Sequence, residues 1–328
     1  VQKYYYVKRS NSYQRKKNPL PVFLSFVIVL FLLVSSVIYL FSSSSKVQSR
    51  EVLAETAASV IILTPTAVPE KKYDNEMLAD VVMNELEGSK ASYSAVIKNF
   101  KTGQEFYLNE QRRYTAASLY KLWTMTRVFE LIDEGELEVS KKLTADVKTL
   151  NSRFKISSDS AELSEGTISL TVGKALERMI TISDNYSALL LTSTVKLSTI
   201  QPMLDKYGFV NTSINSKTPL PLTTASDVAL FFEKLYKKEL INTQRSEEML
   251  ELLKGQQIVR KLPRNLPDDV VIAHKTGELD GYSHDAGIVF TPSGDYLIVL
   301  MSKSTQPAQA EIRLANISQA VYEFFIKQ

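Results

Sequence analysis

Hydrophobic and polar positions alternate along this chain with two different periods, and the change of period divides it into segments. Residues 73–88, YDNEMLADVVMNELEG, carry apolar residues at helical spacing and stop at Gly88. SYSAVIKNF and EFYLN are short strand-like runs on either side of KTGQ, which predicts a hairpin. The stretch 118–134 is a largely apolar helix closed by Gly135, with Leu119, Leu122, Trp123, Met125, Val128, Phe129, Leu131 and Ile132. That composition predicts burial on several sides. Helices are also expected over 171–181, 185–207 and 225–240. The pattern then returns to strands in VVIAHKTG, SHDAGIVFT and DYLIVLMSK, before a last helix over roughly 307–326. Strands near both ends with helices between them predict an α+β fold, in which the terminal segments share one antiparallel sheet and the middle forms an all-helical lobe.

The first 72 residues read differently. Residues 21–41, PVFLSFVIVLFLLVSSVIYLF, carry no charge and are about long enough to cross a bilayer as a helix. Lys3, Lys8, Arg9, Arg15, Lys16 and Lys17 precede the run without a single acid. This asymmetry predicts a single-pass anchor in the cell membrane, its N-terminus inside and the remainder outside. A cleaved signal peptide is the alternative, although the run is long for one and no small-x-small site follows it directly. The expected organisation is a basic cytoplasmic arm over 1–18, a transmembrane helix over 19–41, an extracytoplasmic Ser/Thr/Pro-containing linker over 42–72 and a catalytic domain over 73–328.

Net charge is only +3, so no nucleic-acid-binding surface is implied. The chain has no cysteine, which removes disulfides, a lipid-modified cysteine anchor and any thiolate metal site. No cofactor and no metal are expected, and the domain is expected to be monomeric.

Candidate chemistry rests on three short motifs. Ser-x-x-Lys occurs four times, at Ser43, Ser118, Ser152 and Ser193, and Lys-Thr-Gly twice, at Lys101 and Lys275, so neither is specific alone. Ser183-Asp184-Asn185 occurs once and would by itself be an ordinary helix cap. Their order and setting carry more. Ser118-x-x-Lys121 opens the buried helix, Ser183-Asp184-Asn185 starts a helix midway along the domain, and Lys275-Thr276-Gly277 lies in a β-branched strand near the end. A serine hydroxyl is a poor nucleophile without an adjacent base, and Ser118 and Lys121, three apart, share a helix face. For Lys121 to act as that base its pKa must fall, which burial and a second nearby cation both achieve. A Ser-His-Asp arrangement is the competing reading, since His274 and His284 are the only histidines and Asp285 adjoins the second.

In this order the three motifs are the signature of class A β-lactamases and penicillin-binding proteins. The chain resembles that superfamily over 73–328, including YTAASLYKLW, MITISDNYSALLL, TTASDVALFF and AHKTGELDGYSHDAGIV. The resemblance implies a β-lactamase-like fold and acyl transfer through Ser118, with Lys121 as base, Ser183 as proton relay and Lys275 as the second cation. It also implies that Asn185, Thr276, Gly277 and Glu278 contact substrate, the N–H groups of Ser118 and Glu278 forming the oxyanion hole. The implied partner is a β-lactam or a D-Ala-D-Ala-type peptide.

One departure stands out. Class A enzymes carry a Glu-x-x-x-Asn segment whose glutamate activates the deacylating water, whereas residues 206–226 here contain neither Asp nor Glu. Glu162, Glu165 and Glu278 are the carboxylates that could fold into its place. The expectation is therefore a membrane-anchored β-lactamase-like hydrolase with slow deacylation. A D,D-peptidase and a non-hydrolytic sensor acylated once are the alternatives.

Overall fold

The computed structural model describes residues 75–214 and 220–327. Helix α1 (Asn75–Leu86) leads into the hairpin β1 (Ser92–Asn99) and β2 (Glu105–Leu108). The short strand β3 (Tyr114–Thr115) and a 3₁₀ turn (Ala117–Leu119) run into α2 (Tyr120–Asp133). Then follow β4 (Lys142–Asp146), α3 (Val147–Arg153), β5 (Thr167–Thr171), α4 (Val172–Thr181), α5 (Asn185–Val195) and α6 (Ile200–Tyr207). The chain continues through β6 (Leu222–Thr223), α7 (Ala225–Tyr236), α8 (Thr243–Lys254), β7 (Val271–Leu279), β8 (Tyr282–Phe290) and β9 (Tyr296–Lys303) to α9 (Pro307–Ile326).

The main sheet has five strands in the order β2-β1-β9-β8-β7, each neighbouring pair antiparallel. Both ends of the described domain contribute to it, as the strand-helix-strand pattern predicts. Alternation along the strands assigns the two faces. Ala95, Ile97, Ile272, Val289, Ile298 and Leu300 pack with Leu78 and Val82 of α1 and Leu314, Ile317, Val321 and Phe325 of α9. Val96, Ala273, Ala286, Ile288, Leu297, Val299 and Met301 face the helices instead, against Leu122, Met125, Leu191 and Phe232. Strand β9 is covered on both sides and is buried from Tyr296 to Ser302, which explains why its sequence reads as an unbroken apolar run.

Two boundaries differ from the sequence reading. The helix expected over 185–207 is two helices, because Lys196 takes φ +64° and the Thr199 hydroxyl donates to the carbonyls of Val195 and Lys196. The ribbon β4–β5 was not foreseen: along it exposed and half-buried positions dominate, leaving little apolar contrast to read.

The expected transmembrane helix requires a correction. The segments 1–18, 19–41 and 42–72 lie outside the described residues. Among the described residues no helix is long and apolar enough to cross a membrane. The longest, the 20-residue α9, carries Glu311, Arg313 and Glu323 and spends its apolar face on the sheet. Among the described residues the fold is accordingly an α+β domain with a helical lobe and no membrane-spanning helix. The membrane anchoring, membrane partner and cell-membrane localisation expected with it have no support in this structure and are not carried further.

His284 is fully buried in β8. Its Nε2 faces the Thr115 carbonyl at 2.9 Å, and its Nδ1 accepts from the Ser302 N–H at 3.3 Å. Those partners fit the neutral ring with its proton on Nε2, because a second proton would confront the Ser302 N–H. Burial pushes its pKa down to about 4, although the bond to the Thr115 carbonyl opposes the shift. Between pH 4 and 6.5 the unfolded chain therefore binds a proton that the native protein refuses, so stability rises with pH across that window. Urea unfolding is expected to show about 3 kcal/mol lost from this group between pH 6.5 and 4. His284→Gln should flatten that part of the profile, and an unchanged slope would refute the assignment.

Candidate active site

The site forms where three segments meet beside the edge strand β7. The first is the turn before α2. Ala117 takes φ +45°, a left-handed conformation that costs a residue with a Cβ roughly 1–2 kcal/mol. Ser118 follows in the 3₁₀ turn, half-buried, and Lys121 lies in the first turn of α2, completely buried. The turn is held from both sides. The Ala116 N–H donates to Pro221 O at 2.8 Å, and Gly277 of β7 presses against it. A Cβ on Gly277 would lie 3.1 Å from Ala116 O and 3.3 Å from Leu119 N. A side chain there would push apart the two elements carrying the Ser118 and Glu278 N–H groups.

The second segment is the loop between α4 and α5. Ser183 has φ +57°. Asp184 caps α5 by accepting from the Ser187 N–H at 2.6 Å and pairs with Arg178 at 2.9 Å, a structural role. The third is β7, whose Lys275 points into the helical-lobe side and is also completely buried.

Hydrogen bonds join four of the expected residues. Lys121 Nζ donates to Ser183 O at 2.5 Å, Ser183 Oγ at 3.2 Å and Asn185 Oδ1 at 2.8 Å. Lys275 Nζ donates to the same Ser183 Oγ at 3.0 Å and to Thr276 O at 3.0 Å. Three acceptors use all the donors of an ammonium, so this is the geometry of protonated Lys121, and Ser118 is not among its partners. Burial pushes the Lys121 amine down to about 8, against the opposing charges of Asp184 and Glu162. Burial and then the charge of Lys121 drive Lys275 well below the ordinary lysine value. With both lone pairs of Ser183 Oγ taken by amines, its own proton is free for a third partner.

The other expected contacts are less direct. Alternation sets Thr276 on the opposite sheet face from Lys275 and Gly277, alongside His274 and Asp285. Glu278 points its carboxylate at Lys261 and Arg260, each at 2.7 Å. Burial acts to raise its pKa, but these two cations outweigh burial and hold it below the usual range. The completely buried Lys261 was not foreseen; its segment, VRKLPRNLPDD, reads as an ordinary polar loop. Glu165 pairs with Lys148 at 3.7 Å. Glu162 is the carboxylate that reaches the site, with Oε1 2.5 Å from Asn185 Nδ2.

His274 and Asp285 do pair, at 2.9 Å. They do so on the face covered by α1 and α9, where Asp285 also accepts from the Leu262 N–H at 3.0 Å. With His284 occupied at both nitrogens, the Ser-His-Asp alternative has no histidine to offer Ser118. The acid-free segment 206–226 returns beside the nucleophile turn, where β6 pairs with β3. Its Asn211 N–H and the Thr212 hydroxyl are fastened to Asp227, at 2.9 and 2.7 Å.

A serine one turn before a buried lysine, with a second lysine and a serine bridging them, is the arrangement of a serine hydrolase of β-lactamase-like fold. The chain matches the model of the Beta-lactamase enzyme family over residues 76–325 and belongs to that family. No curated protein matches it. Among solved structures, a β-lactamase from Sphaerobacter thermophilus is 23% identical, with a TM-score of 0.67, the match spanning 78% of this chain and 99% of that one. PBP-A is 21% identical, with a TM-score of 0.67 over 77% of this chain and 97% of its own. A β-lactamase of class A from Bacteroides cellulosilyticus is 20% identical, with a TM-score of 0.65 over 77% and 99%.

Gly277→Ala tests the close approach of β7 to the nucleophile turn. It is expected to leave the fold intact while displacing the strand by a few tenths of an ångström. Labelling of Ser118 by a serine-directed acylating probe should slow about tenfold. Labelling at the original rate would show that the contact does not position the site.

Proposed function

We propose that residues 73–328 form a serine hydrolase that opens the amide of a β-lactam or a D-Ala-D-Ala-type peptide through an ester on Ser118. The observation that carries this reading is the pair of buried amines, Lys121 and Lys275, bonded to one Ser183 hydroxyl. Lys121, once neutral, takes the proton of the Ser118 hydroxyl as the new C–O bond forms. The carbonyl oxygen becomes an oxyanion beside the Ser118 and Glu278 N–H groups. When the C–N bond breaks, Ser183 passes its proton to the leaving nitrogen and recovers one from the Lys121 ammonium. Lys275 holds positive charge where a substrate carboxylate is expected, and Asn185 offers its amide to the acyl group.

The second half of the cycle is slow in this reading. No carboxylate occurs in 206–226 to activate water, and the groups left at the site to act as base are Lys121 and Glu162, the latter bonded to Asn185 Nδ2. That favours persistence of the ester and keeps a D,D-peptidase activity as a specific second reading. PBP-A, which shares the fold, also exists as a glutamate-substituted variant in an acyl-enzyme complex with penicillin G.

Mixing the protein with penicillin G and following intact mass is expected to give a stoichiometric adduct that is absent in Ser118→Ala. An adduct that survives this substitution would reject the scheme, and D-Ala release from a pentapeptide would identify the peptidase. Acylation should also quicken about tenfold from pH 7 to a plateau above the Lys121 pKa of about 8, because only the neutral amine accepts the proton. A rate independent of pH over that interval would exclude Lys121 as the base.

A further inference from the structure

One charged group enters the site from outside the three motifs. Glu162 lies on the stretch between α3 and β5, and its Oε1 receives the Asn185 Nδ2 hydrogen at 2.5 Å. Asn185 Oδ1 is already committed to Lys121, so what the amide can offer a substrate is the remaining hydrogen of Nδ2. A substrate carbonyl that accepts the second Nδ2 hydrogen therefore arrives beside Glu162 Oε1. The carboxylate cannot travel far, because the next residue is pinned to the neighbour of Asn185. Leu163 donates its N–H to the Tyr186 hydroxyl at 3.1 Å and accepts from that hydroxyl at 2.8 Å. The Asn151 amide holds the Leu163 carbonyl as well, at 2.8 Å. Among the described residues no Lys or Arg forms an ion pair with Glu162, in contrast to Glu165 and Lys148. The result is an exposed carboxylate, without an ion pair among the described residues, tethered beside the place of the substrate's acyl carbonyl.

We propose that Glu162 selects acyl donors bearing a primary ammonium next to the carbonyl that Asn185 receives. This rests on the reading of Ser118 as the acylated nucleophile, and it deepens that reading by naming the substrate's charge. The ammonium meets Glu162 when the carbonyl accepts from Asn185 Nδ2. Two sources share this chemistry, a β-lactam with an amino-bearing side chain and a cell-wall-type peptide with a free amine.

The test uses matched pairs on the full chain. Penicillin G and ampicillin share a nucleus and differ by one amine; acylation rate constants are compared at pH 6.5, where that amine is largely protonated. A Lys-D-Ala-D-Ala peptide is compared with its α-amine-acetylated form by D-Ala release. The ammonium-bearing member is expected to react about fivefold faster, with the ratio falling toward one in Glu162→Gln and staying at its original value in Glu165→Gln. A preference confined to the lactam pair or to the peptide pair supports the proposal and identifies the source. Ratios near one in both pairs, or a preference that persists in Glu162→Gln, overturn it while leaving the Ser118 reading intact. If none of the four compounds reacts, the Ser118 reading fails and selection by Glu162 falls with it.

Discussion

Two amines that would be cations in water are forced onto the same hydroxyl oxygen, and much of the molecule serves to keep them there. Lys121 and Lys275 are each shut away from solvent, come from α2 and β7 and meet only at Ser183. Burying two ammonium groups side by side is unfavourable twice over, through lost hydration and mutual repulsion. The structure offsets this with polar acceptors: a carbonyl, a hydroxyl and an amide for Lys121, and the same hydroxyl plus a carbonyl for Lys275. Further out, Asp184 and Glu162 act on Lys121, while Asp285 and Glu278 act on Lys275. The balance leaves at least one amine close to giving up its proton, and so able to act as a base.

The same economy is visible in the backbone. Ala117 and Ser183 both hold left-handed conformations that side chains rarely adopt, and both sit at the meeting point of the three segments. Strain of this kind persists when the surroundings over-determine it. At Ala117 they do so through the Pro221 carbonyl on one side and Gly277 on the other. At Ser183 they do so through the Asp184 cap of α5 and the grip of Lys121 on the Ser183 carbonyl.

Much of this was legible in the chain, for physical reasons that also mark where reading stopped. The strands within 92–99, 271–290 and 296–303 could be read from their β-branched and apolar stretches, SAVI, VIA, GIVF and LIVL. The short β4–β5 ribbon could not, being half exposed on both sides. Motif order brought Ser118, Lys121, Ser183, Asn185 and Lys275 to notice, yet nothing in the spacing shows that Lys121 reaches Ser183 and Asn185 in preference to Ser118. Thr276 illustrates the limit of motif transfer: membership of the Lys-Thr-Gly triplet fixes its place in the strand, and strand alternation then turns it to the other face. Lys261 and Glu162 were harder still. One lies in an undistinguished loop, the other in an acidic stretch, and each matters through contacts made across the fold.

The sheet joins residues from the two ends of the domain, with Ser92 opposite Lys303 and Asn99 opposite Tyr296. Contacts so distant in sequence close only after long loops have been ordered, which slows folding. During synthesis β1 and β2 leave the ribosome long before β9, and β7, with Lys275, emerges after nearly all of the helical lobe. Ser118 is therefore made well before Lys275, with the helical lobe synthesised between them. On the proposed reading, reactivity is withheld until β7 is released and docks beside the nucleophile turn, so the site cannot form before the sheet does.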